Sequence, residues 1–343
     1  MGWKSPLGGF ALFVTTAAIA CAAPAHVTFP TFTDPAAAGS DFAVQGEYQG
    51  WQLEGGMQLP SGAQVIAKGD GKFTVVLYQG GLPGKGWDRS KKKDSYEAET
   101  TGGTVRFDAA GLTGELAGGE LKLKDSSGRE AGALKKVERH SPTFNAAAPS
   151  GATVLLDPKG HSKFTGGQVT PEGWLLMSIP AGETNRRNAD AVSGDSFGSF
   201  VLHLEFRTPF MPTATGQARG NSGVYLQNRY ECQVLDSFGL EGEDNECGGF
   251  YKAKRPDVNM CFPPLSWQTY DIEFAAPRFD TAGKKVKNAR VTVRHNGVVI
   301  HHDVELPQVT PGGLKDEGST GPLKLQYHGN PVAYRNIWIV PKE

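Results

Sequence analysis

Gly220-Asn221-Ser222-Gly223-Val224-Tyr225-Leu226-Gln227, continued by Tyr230-Glu231-Cys232-Gln233-Val234-Leu235-Asp236, decides how this chain is read. The run predicts two strands joined by the polar turn Asn228-Arg229. Side chains alternate across a strand, so Cys232 and Val234 share one face while Glu231 and Gln233 share the other. An acid beside an amide on one face forms either a solvated outer surface or the floor of a polar cleft.

The same alternation sorts the neighbouring strands. In Val201–Arg207, Leu202, Leu204 and Phe206 make an apolar face, which sends His203, Glu205 and Arg207 to the other side. In Leu323–His328 the core takes Leu323, Leu325 and Tyr327, while Lys324, Gln326 and His328 emerge opposite. Tyr270, Ile272 and Phe274 are core, which turns Asp271 and Glu273 outward. If these strands lie in one sheet, a single outward face offers Glu205, Glu231, Gln233, Gln326 and His328. His328 stands at a strand end before Gly329-Asn330-Pro331, and Asn221 at a strand mouth between glycines, where sites concentrate. For each residue the plainer reading is ordinary wet surface of an antiparallel sheet.

The chain has 343 residues, room for two domains, with a formal net charge of -1 that gives no field for nucleic acid. Its 45 glycines and 22 prolines suit many short strands separated by turns. Residues 1–23 read as a signal peptide: Lys4 supplies the positive end and Leu7–Ala20 the apolar run, too short to span a core of roughly 30 Å. Ala18-Ile19-Ala20-Cys21 resembles a bacterial lipobox, which would leave a lipid anchor on Cys21. Ala20-Cys21-Ala22 fits ordinary cleavage equally well. Either way the protein is expected in the periplasm, in the cell envelope or outside the cell, with no integral segment in the mature chain.

Export makes disulfides admissible. Cys247 and Cys261 flank a polar loop, and their pairing would contribute on the order of 3 kcal/mol; Cys232 reads as a small buried hydrophobe. No Cys-x-x-Cys or His-x-x-x-His spacing suggests structural zinc.

Residues 36–141 form a first unit, a small β domain, with strands at 62–67, 72–78, 104–107, 115–117 and 120–123. Its loop Gly80–Gly86 lacks the spacing and the Ser or Thr of a phosphate-binding loop and reads as a turn. Arg89–Lys93 reads as a solvated loop. Ser141–Gly151 is a small-residue linker. Residues 150–343 then carry about ten strands without a helical run, and His295-Asn296-Gly297 suits a hairpin. The fold expected is all-β, with a C-terminal two-sheet jelly-roll sandwich after the small β domain.

Several phrases in order resemble the 3-keto-disaccharide hydrolase family, formerly a domain of unknown function. They are Leu202–Phe206, Gly220–Tyr225, Tyr230–Asp236, Asn259–Pro264 with Trp267–Tyr270, Val293–Gly297, Gly321–Gly329 and Arg335–Ile337. The chain departs from the pattern at Cys232, where an aliphatic residue is usual, and at Tyr327, where a polar one is common. The resemblance implies a concanavalin A-like lectin/glucanase fold and cleavage of glycosides already oxidised to a ketone at C3. That ketone acidifies the C2 hydrogen, so a base can form an enolate, which expels the C1 oxygen before water adds. His328 is the expected base, since imidazole titrates near 6.5, with Glu231 as acid or alternate base. Asn221, Gln233, Gln326 and Asp236 would hold the carbohydrate, and Glu205 would orient His328 or a hydroxyl. The reading fixes no cofactor, and Glu231, Asp236, Glu246 and His328 could hold a divalent metal against the enolate.

Two other readings compete. A conventional glucanase needs paired carboxylates, yet Glu231-x-Gln233 puts an amide where the second acid should be. A non-catalytic lectin would use exposed aromatics, for which Trp174, Tyr225 and Trp267 are available.

Overall fold

A computed structural model describes residues 1–2, 28–109, 111–179 and 189–342. The apolar run after Lys4 and the candidate lipid-bearing Cys21 lie outside the described residues. Among the described residues no helix is long and apolar enough to cross a membrane.

The first unit closes on itself. The strand Gly46–Glu54 pairs with Met57–Gly69 on one side and with Glu130–Val137 on the other. Lys72–Gln79, Lys93–Thr101, Thr104–Ala109, Leu112–Ala117 and Glu120–Asp125 complete a barrel of eight antiparallel strands among the described residues. Its interior is the alternate set Ala63, Val65, Ala67, Phe73, Val75, Leu77, Leu121, Leu123 and Leu134. Closure removes the free edges that an open sheet would expose.

Residues beyond the linker fold into two packed sheets, as expected of a sandwich. The larger one has eight strands among the described residues, with Ser199–Arg207 between Gln268–Ala275 and Ala333–Lys342. The smaller runs Phe164–Thr165, Ala191–Phe197, Gly321–Leu325, Ser222–Leu226, Tyr230–Val234. The inward sets Leu202, Leu204, Phe206 and Val224, Leu226, Cys232, Val234 meet in one core. The tight turn between the last two strands uses Gln227 and Asn228 at positive φ, one residue earlier than Asn228-Arg229.

Barrel and sandwich share apolar contacts. Ile66, Val76 and Tyr78 face away from the barrel interior and join the sandwich core. Arg89 donates to the carbonyls of Gly242, Pro256 and Asp257 at 2.8–3.1 Å, and Lys93 pairs with Glu241 at 2.6 Å. Arg89–Lys93 is therefore a docking segment with exposed middle residues, not a solvated loop. A half-buried guanidinium that donates to three carbonyls looks, in sequence, like any surface charge.

The linker is not slack either. Thr143 Oγ1 donates to Asp271 Oδ2 at 2.6 Å, and the Asn145 amide to Glu205 Oε1 at 2.6 Å. The Ala146 carbonyl accepts from Asn336 Nδ2 and Trp338 Nε1. This segment covers the outward face of the larger sheet, so Glu205 and His203 are fully buried. Glu205 also accepts from Arg335 Nε at 2.7 Å and Asn336 Nδ2 at 2.9 Å. Burial opposes its ionisation, but bonds from His203 and Asn336 and the Arg335 charge outweigh that and hold its pKa below the usual value.

Glu205→Ala would take an acceptor from the Asn145 amide and Asn336 Nδ2 and leave the Arg335 guanidinium without its carboxylate. The expected loss is about 3 kcal/mol of unfolding free energy at pH 7. A denaturant titration showing a change below about 0.5 kcal/mol would contradict the clasp.

Candidate active site

Strand register assembles the site on the outward face of the smaller sheet. Tyr225 lies opposite Glu231 on one side and Lys324 on the other, so acid, phenol and ammonium form one row across three strands. Gly223 lies opposite Gln233 and accepts from the Gln326 amide at 2.9 Å, which makes a parallel second row. Side chains of such cross-strand neighbours meet.

Gly223 is the gap that lets the rows interlock. A Cβ there would come within 2.3 Å of Glu231 Oε1 and 3.0 Å of the Tyr225 ring. The carboxyl of Glu231 thus lies across the backbone of the central strand, where any side chain would displace it. Glu231 is 3% exposed and Tyr225 1%. The Glu231 amide donates to Thr310 Oγ1 at 2.8 Å, which pins the strand to the 310–313 segment. Lys324 Nζ sits 3.9 Å over the Tyr225 ring, donates to the Gly312 carbonyl at 2.9 Å and lies 3.6 Å from Asp190.

These surroundings set the charges. Burial pushes the Glu231 carboxyl up to about 7, against the opposing pull of the Tyr225 hydroxyl and Lys324. Burial and the neighbouring Glu231 drive the Tyr225 phenol far above its ordinary value, so it stays protonated and acts as a donor. Lys324 is lowered by burial, with Asp190 and Glu231 pulling it back up.

A string of amides borders the acid. Gln233 Nε2 donates to Asn221 Oδ1 at 3.0 Å, and Asn221 Nδ2 to the Gln217 carbonyl at 2.8 Å. The Asn221 amide donates to Asn330 Oδ1 at 2.7 Å, which ties the turn after His328 to this strand mouth. Gln326 Nε2 reaches the Tyr225 hydroxyl at 3.3 Å.

Asn221, Glu231, Gln233 and Gln326 are therefore brought together, and His328 stands exposed just past the strand end. Glu205 is not with them, because its strand belongs to the other sheet, under the linker. Asp236 is buried against Arg219, Oδ2 to Nε 2.7 Å, and Arg219 Nη1 continues to the Ala67 carbonyl of the barrel. Its carboxylate is spent on that tie. Sequence reasoning left Lys324 as a surface residue and missed Asp190. Lys324 was legible only as outward-facing, because its place beside Tyr225 depends on a pairing about a hundred residues apart.

The four residues offered as metal ligands do not converge. Asp236 is paired with Arg219, and Glu246 Oε2 accepts from the amides of Gly242 and Glu243. Among the described residues no three His, Cys, Asp or Glu side chains gather as a metal site.

The expected Cys247–Cys261 bridge is absent: both are buried free thiols. Cys247 Sγ lies 3.2 Å from the Tyr270 hydroxyl, and Cys261 Sγ 3.5 Å from the Leu235 carbonyl. The loop between them holds itself by burying Phe250, Val258 and Met260 in the core, apolar anchors whose burial the loop's polar composition concealed.

The sandwich thus buries an acid, a phenol and an ammonium on one sheet face beside a string of amides. The chain belongs to the family of 3-keto-α-glucoside-1,2-lyase-like domains, which residues 151–340 match, and this makes it a carbohydrate-active enzyme. Among solved structures it is similar to a proposed glycosyl hydrolase of Parabacteroides distasonis at 32% identity. That likeness covers 57% of this chain and 85% of the other, with a TM-score of 0.49. A second proposed glycosyl hydrolase of the same organism is 20% identical over 56% of this chain and 95% of the other, with a TM-score of 0.40. No curated protein matches.

A carboxyl whose folded pKa exceeds its unfolded one binds more protons in the native state, so stability falls as pH rises through that interval. Wild-type protein should match Glu231→Gln near pH 4 and fall behind it above pH 7, by up to about 3 kcal/mol. Parallel stability–pH curves for the two proteins would show that Glu231 ionises normally.

Proposed function

We propose that this protein cleaves 3-keto-glycosides by taking the C2 proton, expelling the C1 oxygen and adding water to the product. The observation that carries the proposal is a buried Glu231 carboxyl, pushed up to about 7, on a strand that pairs Glu231 with Tyr225. A base poised near the working pH combines adequate basicity with adequate population.

In this reading the Glu231 carboxylate accepts the C2 hydrogen as a proton. The C2–H electron pair moves into the C2–C3 bond, and the C3 oxygen becomes an enolate. Tyr225 and the Gln326 amide donate toward that oxygen, and Lys324 offers a positive field. The enolate then reforms the ketone while the C1–O bond breaks, leaving a C1–C2 double bond. The departing oxygen takes a proton, for which the exposed imidazole of His328 at the strand end is suited. Water adds its hydroxyl to C1 and a proton to C2, which completes a net hydrolysis. His328 thus moves from base to acid, because Glu231 occupies the buried position where a carboxyl acquires a base's pKa.

Asn221 and Gln233 hold sugar hydroxyls in this scheme. A conventional glucanase reading lacks support at the site, since the amide of Gln233 occupies the next outward position after Glu231. We also take the reaction to be extracytoplasmic, on the strength of Lys4 and the Leu7–Ala20 run, with or without a lipid on Cys21.

Matched glycosides with and without the C3 ketone test the scheme. The keto form alone should be cleaved, with deuterium from heavy water entering at C2. Glu231→Gln should lower kcat by about 10³-fold. His328→Ala should slow substrates with poor leaving groups and leave nitrophenyl glycosides nearly unaffected. Cleavage of the unoxidised glycoside at a comparable rate would contradict the mechanism, and binding without turnover would favour a lectin.

A further inference from the structure

The outward side of the larger sheet carries a feature that this reaction does not use. The Arg207 guanidinium lies 4.4 Å from the Trp174 ring centroid, and the Trp174 and Trp267 indoles meet edge-on at 5.3 Å. A cavity of about 410 Å³ opens beside Arg207 and Trp174, with Thr170, Glu172 and Asp34 in its wall. Trp174 and Glu172 also line a second cavity of about 390 Å³ on the linker side. Pro35 and Leu265 are shared between the first cavity and a third of about 670 Å³ between barrel and sandwich. Each volume is in the range of ligand sites, and the shared walls set them side by side along the seam.

The charges in the first cavity select its ligand. Arg207 Nη2 donates to the Thr33 carbonyl at 2.9 Å, and among the described residues no carboxylate lies within ion-pair distance of this guanidinium. Burial and the nearby Arg335 both act against its charge, while Asp34 and Glu172 support it from farther away. A sugar hydroxyl can accept from the guanidinium and donate to a carboxylate at once. An anionic sugar would meet two carboxylates. The Trp174 indole in the cavity wall offers the apolar surface that sugar C–H groups require.

We propose that the first of these cavities is an accessory binding site for a neutral oligosaccharide, separate from Glu231 and independent of the C2-elimination reading. It lies on the larger sheet, whereas Glu231 lies on the smaller. Both units contribute: Asp34 and Pro35 precede the barrel, and Trp174 and Arg207 belong to the sandwich.

Calorimetric titration of the full chain with unoxidised maltotetraose and cellotetraose tests it. At least one tetraose should bind, and Arg207→Met and Glu172→Ala should each weaken it about tenfold or more. Glu231→Gln should leave the affinity unchanged. Glu172 is exposed, so its variant decides the matter even if Arg207→Met fails to fold. Binding of neither tetraose overturns the proposal. So does binding that Glu231→Gln abolishes while Arg207→Met and Glu172→Ala retain it, or a tetragalacturonate that binds as tightly.

Discussion

The carboxyl of Glu231 lies buried over a strand that has no side chain beneath it. That one packing arrangement needs Gly223 at the crossing point, Tyr225 and Lys324 in register beside it, and a core on the reverse face to hold three strands in order. Remove water from a carboxylate and its charge becomes costly unless partners repay the loss. Tyr225 and Lys324 repay only part of it, so the acid settles near neutrality. Its reactivity in the proposed chemistry is therefore a product of how the sheet is paired.

The two outward faces of the sandwich have diverged in use. The smaller sheet keeps its polar residues in a partly satisfied state, with an acid near its titration point and amides bonded mainly to one another. The larger sheet spends its acids on structure. Glu205 and Asp271 bind the linker, and on the far side Asp236 fixes Arg219 to a barrel carbonyl. A paired carboxylate held below its usual pKa, as Glu205 is, stabilises a fold at neutral pH but has little basicity to offer. The contrast between Glu205, held low, and Glu231, pushed high, separates a structural acid from a catalytic candidate.

Strand alternation was enough to place Glu231 and Gln233 on one face and Cys232 and Val234 in the core, because that periodicity is local. The family phrases were likewise legible as runs of residues. Pairing between distant strands was not. Glu205 and Glu231 both read as outward-facing, and only the division into two sheets shows that they look in opposite directions. Lys324 looked like a surface lysine until its strand was seated beside Tyr225. Barrel closure was hidden for the same reason, since Gly46–Glu54 and Glu130–Val137 pair across most of the unit. The docking role of Arg89 rests on three backbone carbonyls, which leave no trace in composition.

The most direct test of the account is the titration of Glu231 itself. Carbon-13 NMR of protein labelled at the glutamate side-chain carboxyl, compared with Glu231→Gln, isolates its resonance. The account requires a midpoint of about 7 that falls when Tyr225 and Lys324 are kept and Gly223→Ala pushes the carboxyl toward solvent. A wild-type midpoint near 4, the ordinary value for an exposed glutamate, would contradict it.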